Sequence, residues 1–403
     1  MATSTFEIDG VAARSHVSPS TADELASALK AANDAGQAVA PVGGGTQLDL
    51  GMPPAHLDLV IETTGLHRVV EYEPADLTVT VEAGMRFSKL QQILGEQGQF
   101  LALDPPVADG ATIGGLIATN ASGPLRFAYG TARDLVIGTR VANPDGKLTR
   151  AGGRVVKNVA GYDLNKLYIG SLGTLAIVVE LSFKLAPIPP AVATVVGEFS
   201  GVGGVGGVGG ARSLIGAVVH SALSPLAIEL VGSTRVLFRV GGYPQAVERQ
   251  VRDLSALIAE NGGGLVDTSA GTWDDLTHAR VQARQRDILL KAAAPISESS
   301  ALVTILEERL RDLEPTVWAH AGSGVAYAAC HAPADAEPLL GARRDVRALG
   351  ENASLVIERC PTRLKQDVDV WGEPGPGVAL MRAIKAKLDP KNTLNPGRYV
   401  GGI

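Results

Sequence analysis

The chain has 403 residues, room for two or three domains, and its 45% hydrophobic and 19% charged residues are those of an ordinary globular protein. A formal net charge of −6 and an aromatic content of 4% argue against a nucleic-acid partner or an anionic membrane surface. Two cysteines, Cys330 and Cys360, are too few for an iron–sulfur cluster or a cysteine-rich zinc site, and no apolar run reaches the ~18 residues of a membrane span.

Residues 21–35, TADELASALKAANDA, predict a capped helix stopped by Gly36. Residues 37–42 predict a short buried strand running into the turn Gly43-Gly44-Gly45. Further strands are expected at 57–62 and 78–82, the second from the alternation of Val79 and Val81 with polar neighbours. Residues 86–94 predict an amphipathic helix ended by Gly95, and the small, polar residues 109–123 predict an ordered loop. Strands follow at 135–142 and 175–185, the last closed by Pro187, Pro189 and Pro190, a cluster that marks a domain boundary. Residues 201–210 repeat GVGG and predict a mobile loop. Residues 212–350 then alternate apolar strands (227–231, 236–240) with polar helices (244–260, 332–349), as in a second α/β domain. Residues 378–387 predict a helix ahead of a turn-rich tail at 389–398.

Four stretches carry the chemistry. Glycine is in surplus, with 48 residues against an average of ~7%, as flexible filler or as backbone that approaches a ligand closely. Pro41-Val-Gly-Gly-Gly-Thr46 follows a strand directly, and reads either as an anion-binding nest of convergent N–H groups or as a plain tight turn. Ala111-Thr-Ile-Gly-Gly-Leu-Ile-Ala-Thr-Asn-Ala-Ser-Gly123 pairs small residues with hydroxyls and an amide suited to phosphate and ring edges. Lys157-Asn-Val-Ala-Gly-Tyr-Asp163 and Gly170-Ser-Leu-Gly-Thr174 come third and fourth. Taken singly, each of the last three reads as a structural loop.

In this order and spacing the four resemble the FAD domain of the vanillyl-alcohol-oxidase (PCMH-type) superfamily, above all the FAD-binding E subunits of glycolate oxidase, or glycolate dehydrogenase. The resemblance covers residues 20–190 and 370–403, including Trp371-Gly372, Asp389-Pro390 and Leu394-Asn-Pro-Gly-Arg398. It implies an α+β fold, with a PCMH-type two-lobed FAD-binding domain at 1–190 and an α/β cap domain for substrate or partner at 191–350. The C-terminal segment 351–403 would return to complete the flavin site. Gly43, Gly44, Gly45 and Thr46, with Pro41 beside them, would bind the FAD diphosphate. Thr112, Gly114, Gly115, Asn120, Ser122 and Gly123 would line its diphosphate and flavin side, and Gly173, Thr174 and Ile177 its adenosine or ring portion. Asn395 and Arg398 would close over the isoalloxazine. Thr46 stands where some members of the superfamily attach FAD through a histidine, so FAD is expected to be held non-covalently.

Two features depart from simple readings. Gly201-Val-Gly-Gly-Val-Gly206 matches G-x-G-x-x-G, but the glycines run on to Gly210 and the next acid is Glu229, which speaks against a nicotinamide site. Flavin-dependent 2-hydroxy-acid oxidases of the superfamily carry His-x-Gly-Asp-Gly-Asn-x-His and Glu-His-Gly motifs for metal and substrate. Here His320-Ala-Gly-Ser-Gly-Val-Ala-Tyr327 keeps the first histidine and places Ser323, Val325 and Tyr327 at the acid, amide and second histidine, while Glu358-Arg-Cys-Pro361 has no histidine. No metal site is expected. His320 is a candidate proton acceptor or a histidine bonded within a turn. Arg126, Arg133 and Asp134 are expected at a surface or interface.

The resemblance implies an FAD-binding redox subunit of a glycolate-oxidising complex, with a sister FAD subunit and an iron–sulfur subunit as partners and glycolate as the substrate of the complex. A self-sufficient FAD-dependent oxidoreductase and a flavin-stabilised scaffold without redox turnover are the alternatives. Residues 1–20 hold no basic-plus-apolar signal segment, so a cytoplasmic place is expected, with attachment to the inner membrane face only through partner subunits.

Overall fold

The computed structural model describes residues 6–106, 109–154, 162–199, 208–267 and 271–403, the side chain of Val208 aside. The chain divides into two compact units: Met1–Ser122, Gly130–Ile188 and Trp371–Ile403 form the first, and Gly123–Tyr129 with Pro189–Val370 the second.

The first unit contains a three-stranded parallel sheet in the order Ser15–Val17, Leu59–Glu62, Val39–Val42. Parallel strands need a crossover, which the helix Ala22–Asp34 supplies. Its N-terminus is fixed by Thr21, whose hydroxyl accepts from the Glu24 N–H at 3.2 Å, while the Glu24 carboxylate accepts from the Ser20 N–H at 2.9 Å. Leu25, Leu29 and Ala32 recur at helical spacing and bury against Val39, Leu59 and Ile61, together with Ala142, Ile177 and Val179 of a second sheet. Each fully buried leucine contributes ~1.5–3 kcal/mol of transfer free energy. That second sheet is antiparallel, in the order Leu148–Gly152, Val136–Ala142, Ile177–Lys184, Thr78–Glu82, Val69–Glu73. Its three inner strands match the sequence expectation. The two edge strands, half exposed, were not expected from the sequence. The tail joins the parallel sheet: Val39 N–H donates to Thr393 O at 2.7 Å and Asn395 N–H to Val39 O at 2.9 Å, so Leu394 lies beside Val39 as an added strand position.

The second unit is built on one eight-stranded sheet, antiparallel at every pairing. Its order is Gly264–Asp267, Ala191–Glu198, Arg235–Gly242, Ala227–Val231, Thr316–His320, Val325–Cys330, Ile288–Ala293, Ser354–Arg359. Helices Pro244–Glu260, Ser299–Arg309 and Glu337–Arg347 pack on it through residues such as Leu254, Ile258, Leu302 and Val346, all fully buried. Because Ser354–Arg359 is the sheet's edge strand, the break to the tail falls at 370/371, where the sequence reading put it near 350.

Two loops expected from the sequence contain helix. Residues 109–123 include the helix Ile113–Thr119, capped by Thr112 and ended by Asn120 in the left-handed conformation. Gly114 and Gly115 hid it by their low propensity, and packing decides: Gly114 N–H donates to Ala83 O at 2.7 Å, and a Cβ there would meet the Ala83 Cβ at 2.9 Å. In the glycine repeat, residues 201–207 lie outside the described residues, while Val208 begins the helix Val208–Val219. Among the described residues no helix is long and apolar enough to cross a membrane, and Cys330 and Cys360 are both buried.

Candidate active site

The first unit holds a cleft of ≈ 850 Å³, part of it open to solvent. It gathers three of the four sequence stretches and the tail: Pro41, Gly43, Gly44, Gly45, Thr46, Thr112, Gly114, Gly115, Gly173, Ile177, Asn395 and Arg398 all line it. Most of Lys157-Asn-Val-Ala-Gly-Tyr-Asp163 lies outside the described residues. Thr119 and Ser171 of the second and fourth stretches lie on the same walls, and sequence reasoning missed Gln47 and Thr63 there.

Backbone proximity explains the glycines. A Cβ on Gly44 would lie 1.8 Å from the Gly110 carbonyl oxygen, and one on Gly43 2.1 Å from the Thr112 hydroxyl. Thr112 holds this approach: its hydroxyl caps the helix Ile113–Thr119 and accepts from the Gly44 N–H at 3.3 Å. Gly173 has φ +66, and a Cβ there would meet the Pro41 ring at 2.6 Å. Beside it Leu172, at φ 50, holds a conformation that costs a branched residue about 1–2 kcal/mol. Bonds from Leu172 N–H to Ala118 O at 2.9 Å and from the Asn395 Nδ2 to Leu172 O at 2.6 Å keep it there.

Asn120, Ser122, Gly123 and Thr174 do not line the cleft. Asn120 is the helix C-cap, Ser122 is buried, Gly123 belongs to the second unit, and the Thr174 hydroxyl donates to Ser171 O at 2.8 Å. Arg398 lines the cleft, but its guanidinium donates to the carbonyls of Leu48, Leu50 and Met52. It welds the tail to residues 48–52. Burial pushes its pKa down, with Asp9 and Asp49 opposing.

His320 lies in the second unit, at the end of Thr316–His320, where Ala321–Ser323 and Gly324 turn the chain into Val325–Cys330. The motif His320 to Tyr327 is therefore a β-hairpin. The imidazole Nδ1 sits 2.9 Å from a Glu229 carboxylate oxygen across the strand pair, and Arg280 donates to the same carboxylate at 2.6 Å. All three are nearly inaccessible to solvent. Burial lowers the His320 pKa, Glu229 opposes, and Arg280 and Arg126 push the same way as burial. Tyr327 meets His320 edge-on at 5.3 Å and stacks with Trp318 at 5.4 Å. Glu358 is bound by Arg284 at 3.0 Å and Lys291 at 3.5 Å, and those two cations hold its pKa down against its burial. Among the described residues no group of three or more His, Cys, Asp or Glu is placed to hold a metal.

Comparison with known proteins bears on what the cleft binds. Residues 13–152 match the model of the FAD binding domain, and residues 372–399 match that of the C-terminal domain of FAD linked oxidases. FAD is the cofactor of this chain. Glycolate oxidase subunit GlcD of Bacillus subtilis is 27% identical over 95% of this chain and 88% of its own length. Glycolate oxidase subunit GlcE of Escherichia coli is 42% identical over 127 residues, 31% of this chain and 36% of its own. p-Cresol methylhydroxylase, solved with substrate bound, has a TM-score of 0.71 at 16% identity over 95% of this chain and 88% of that chain, a shared fold. In fold the chain is similar to the PCMH-type FAD-binding proteins.

The cleft fits FAD in its own chemistry. Among the described residues the buried Asn395 Oδ1 has no hydrogen-bond partner, an omission that costs ~1–3 kcal/mol until a donor such as the FAD ring imide supplies one. Arg398 is, among the described residues, the one charged residue on the walls, so a diphosphate would call on backbone N–H groups of the kind Gly43 and Gly45 present. No lining residue among those described is a histidine or cysteine.

Proposed function

We propose that this chain is the FAD-holding redox subunit of an assembly that oxidises a 2-hydroxy acid of the glycolate type, in the cytoplasm, beside a sister flavoprotein and an iron–sulfur subunit. Bound FAD supplies the two-electron oxidation and hands electrons on singly. The chain's residues hold it without a covalent bond: Gly43, Gly44, Gly45 and Thr46 take the diphosphate, Gly173 and Ile177 shape the adjoining wall, and Asn395 accepts from the ring edge. The likeness to two glycolate oxidase subunits supports the substrate class.

One observation carries the subunit reading. The residues that would do proton and metal chemistry are spent on each other: His320 on Glu229, and Glu358 on Arg284 and Lys291. A general base must be within hydrogen-bond reach of the substrate proton, and an imidazole this buried is poorly placed to receive it. The same pair favours a second reading. A carboxylate behind a histidine is how a general base is oriented, and on that reading the chain oxidises its substrate alone, with His320 taking the proton.

Anaerobic addition of glycolate to the purified chain, then to the chain with its partner subunits, separates the two. The first reading expects the visible flavin band to bleach only in the assembly. Bleaching of the lone chain at a comparable rate would replace it with the second.

A further inference from the structure

The helix Val378–Leu388 buries a lysine and leaves two large apolar residues to solvent. Leu380 and Met381 are 66% and 40% exposed, while Lys385 is the buried residue of the helix, at 6%. Burying an ammonium costs several kcal/mol unless it is paired and bonded. Here all three of its protons are used: Nζ donates to Asp389 Oδ2 at 2.6 Å, to Thr174 O at 2.8 Å and to Leu394 O at 2.8 Å. Asp389, 1% exposed, accepts in turn from the Thr393 and Leu394 N–H groups at 3.0 and 2.8 Å.

The two carbonyls belong to segments that are 220 residues apart in sequence, 174 and 394, and each adjoins a cleft residue. Thr174 follows Gly173, and Leu394 precedes Asn395. An apolar contact would join such segments as strongly, since replacing a buried ion pair by packed hydrophobic residues is often neutral or stabilising. What three directed bonds add is orientation. They fix both carbonyls on one point, and with them the turn at Gly173 and the residue whose Oδ1 is left without a protein partner. The Asn395 Nδ2 bond to Leu172 O closes the loop from the other side.

We propose that Lys385 is a positioning residue for FAD, whose ammonium sets the Gly173 turn and Asn395 against each other along one wall of the cleft. The inference rests on the FAD reading of that cleft, which FAD uptake by the wild-type apoprotein tests separately.

The test is FAD rebinding to deflavinated full-length protein, followed by flavin fluorescence, for Lys385→Met, Asn395→Ala, Thr46→Ala and their pairs. Lys385→Met should weaken FAD by about tenfold or more. Because Lys385 acts through Asn395, the pair Lys385→Met/Asn395→Ala should lose little beyond the larger single effect. With Thr46→Ala, in the loop 43–46, the losses should multiply. Wild-type FAD affinity in folded Lys385→Met, or losses that multiply with Asn395→Ala, overturns the proposal. Should Lys385→Met fail to fold, Lys385→Gln, which keeps two donors, carries the same cycle. Amide exchange of the wild type is the variant-free arm. Residues 171–178 and 389–398 should gain protection together when FAD binds, and protection of one segment without the other contradicts the coupling.

Discussion

At Gly44 the backbone leaves no space for a side chain, since its nearest neighbour is a carbonyl oxygen rather than a movable side chain. Gly44→Glu would both displace the loop and set a carboxylate beside the diphosphate. Flavin should be lost from the purified protein while the circular dichroism of the fold is retained, and near-wild-type flavin content in Gly44→Glu would show that this loop is a turn and nothing more. Gly43 and Gly44 stood out in the sequence only through the order and spacing of the four stretches, because a glycine run after a strand reads equally well as a tight turn. Lys385 was not, because a lysine four residues before an aspartate on a helix reads as a solvated pair. Only the fold shows that this pair is buried under Thr174. His320 gives a pH prediction. Burial lowers its folded pKa below the ordinary 6.5, so below that value the unfolded chain binds more protons than the folded one. Its contribution is complete above pH 6.5 and is lost as pH falls toward the folded pKa. Chemical denaturation across that window should show wild-type stability falling with pH more steeply than that of His320→Gln. A wild type that gains stability relative to the variant on acidification would contradict the assignment.

Among the elements, those with a clear period were legible. Thr78–Glu82, Ala227–Val231 and Pro244–Glu260 carry their alternation or their amphipathic face in the residues themselves. Ile113–Thr119 and Val208–Val219 do not, because their glycines mask the period and the helix is held by partners far away in sequence. The second of these carries a testable weakness. Gly216 sits in mid-helix with nothing within 4 Å of where a Cβ would stand, so its flexibility is an entropic cost without a packing return. Gly216→Ala should stabilise the protein by ~0.5–1 kcal/mol in urea denaturation. A loss of stability would mean that the segment is not helical.

For the molecule as a whole, the two-lobed first unit was legible because its motifs fall in a fixed order, and Leu394 beside Val39 shows how the tail reaches it. The antiparallel order of the eight-stranded sheet was not, since alternating strands and helices do not state which strands pair. The central claim is that this chain holds FAD, and holds it without a covalent bond. Acid precipitation of the purified wild type followed by chromatography of the supernatant tests it most directly. The account predicts a colourless pellet and intact FAD in the supernatant, about one per chain. Flavin retained in the pellet, or FMN in place of FAD, would contradict it.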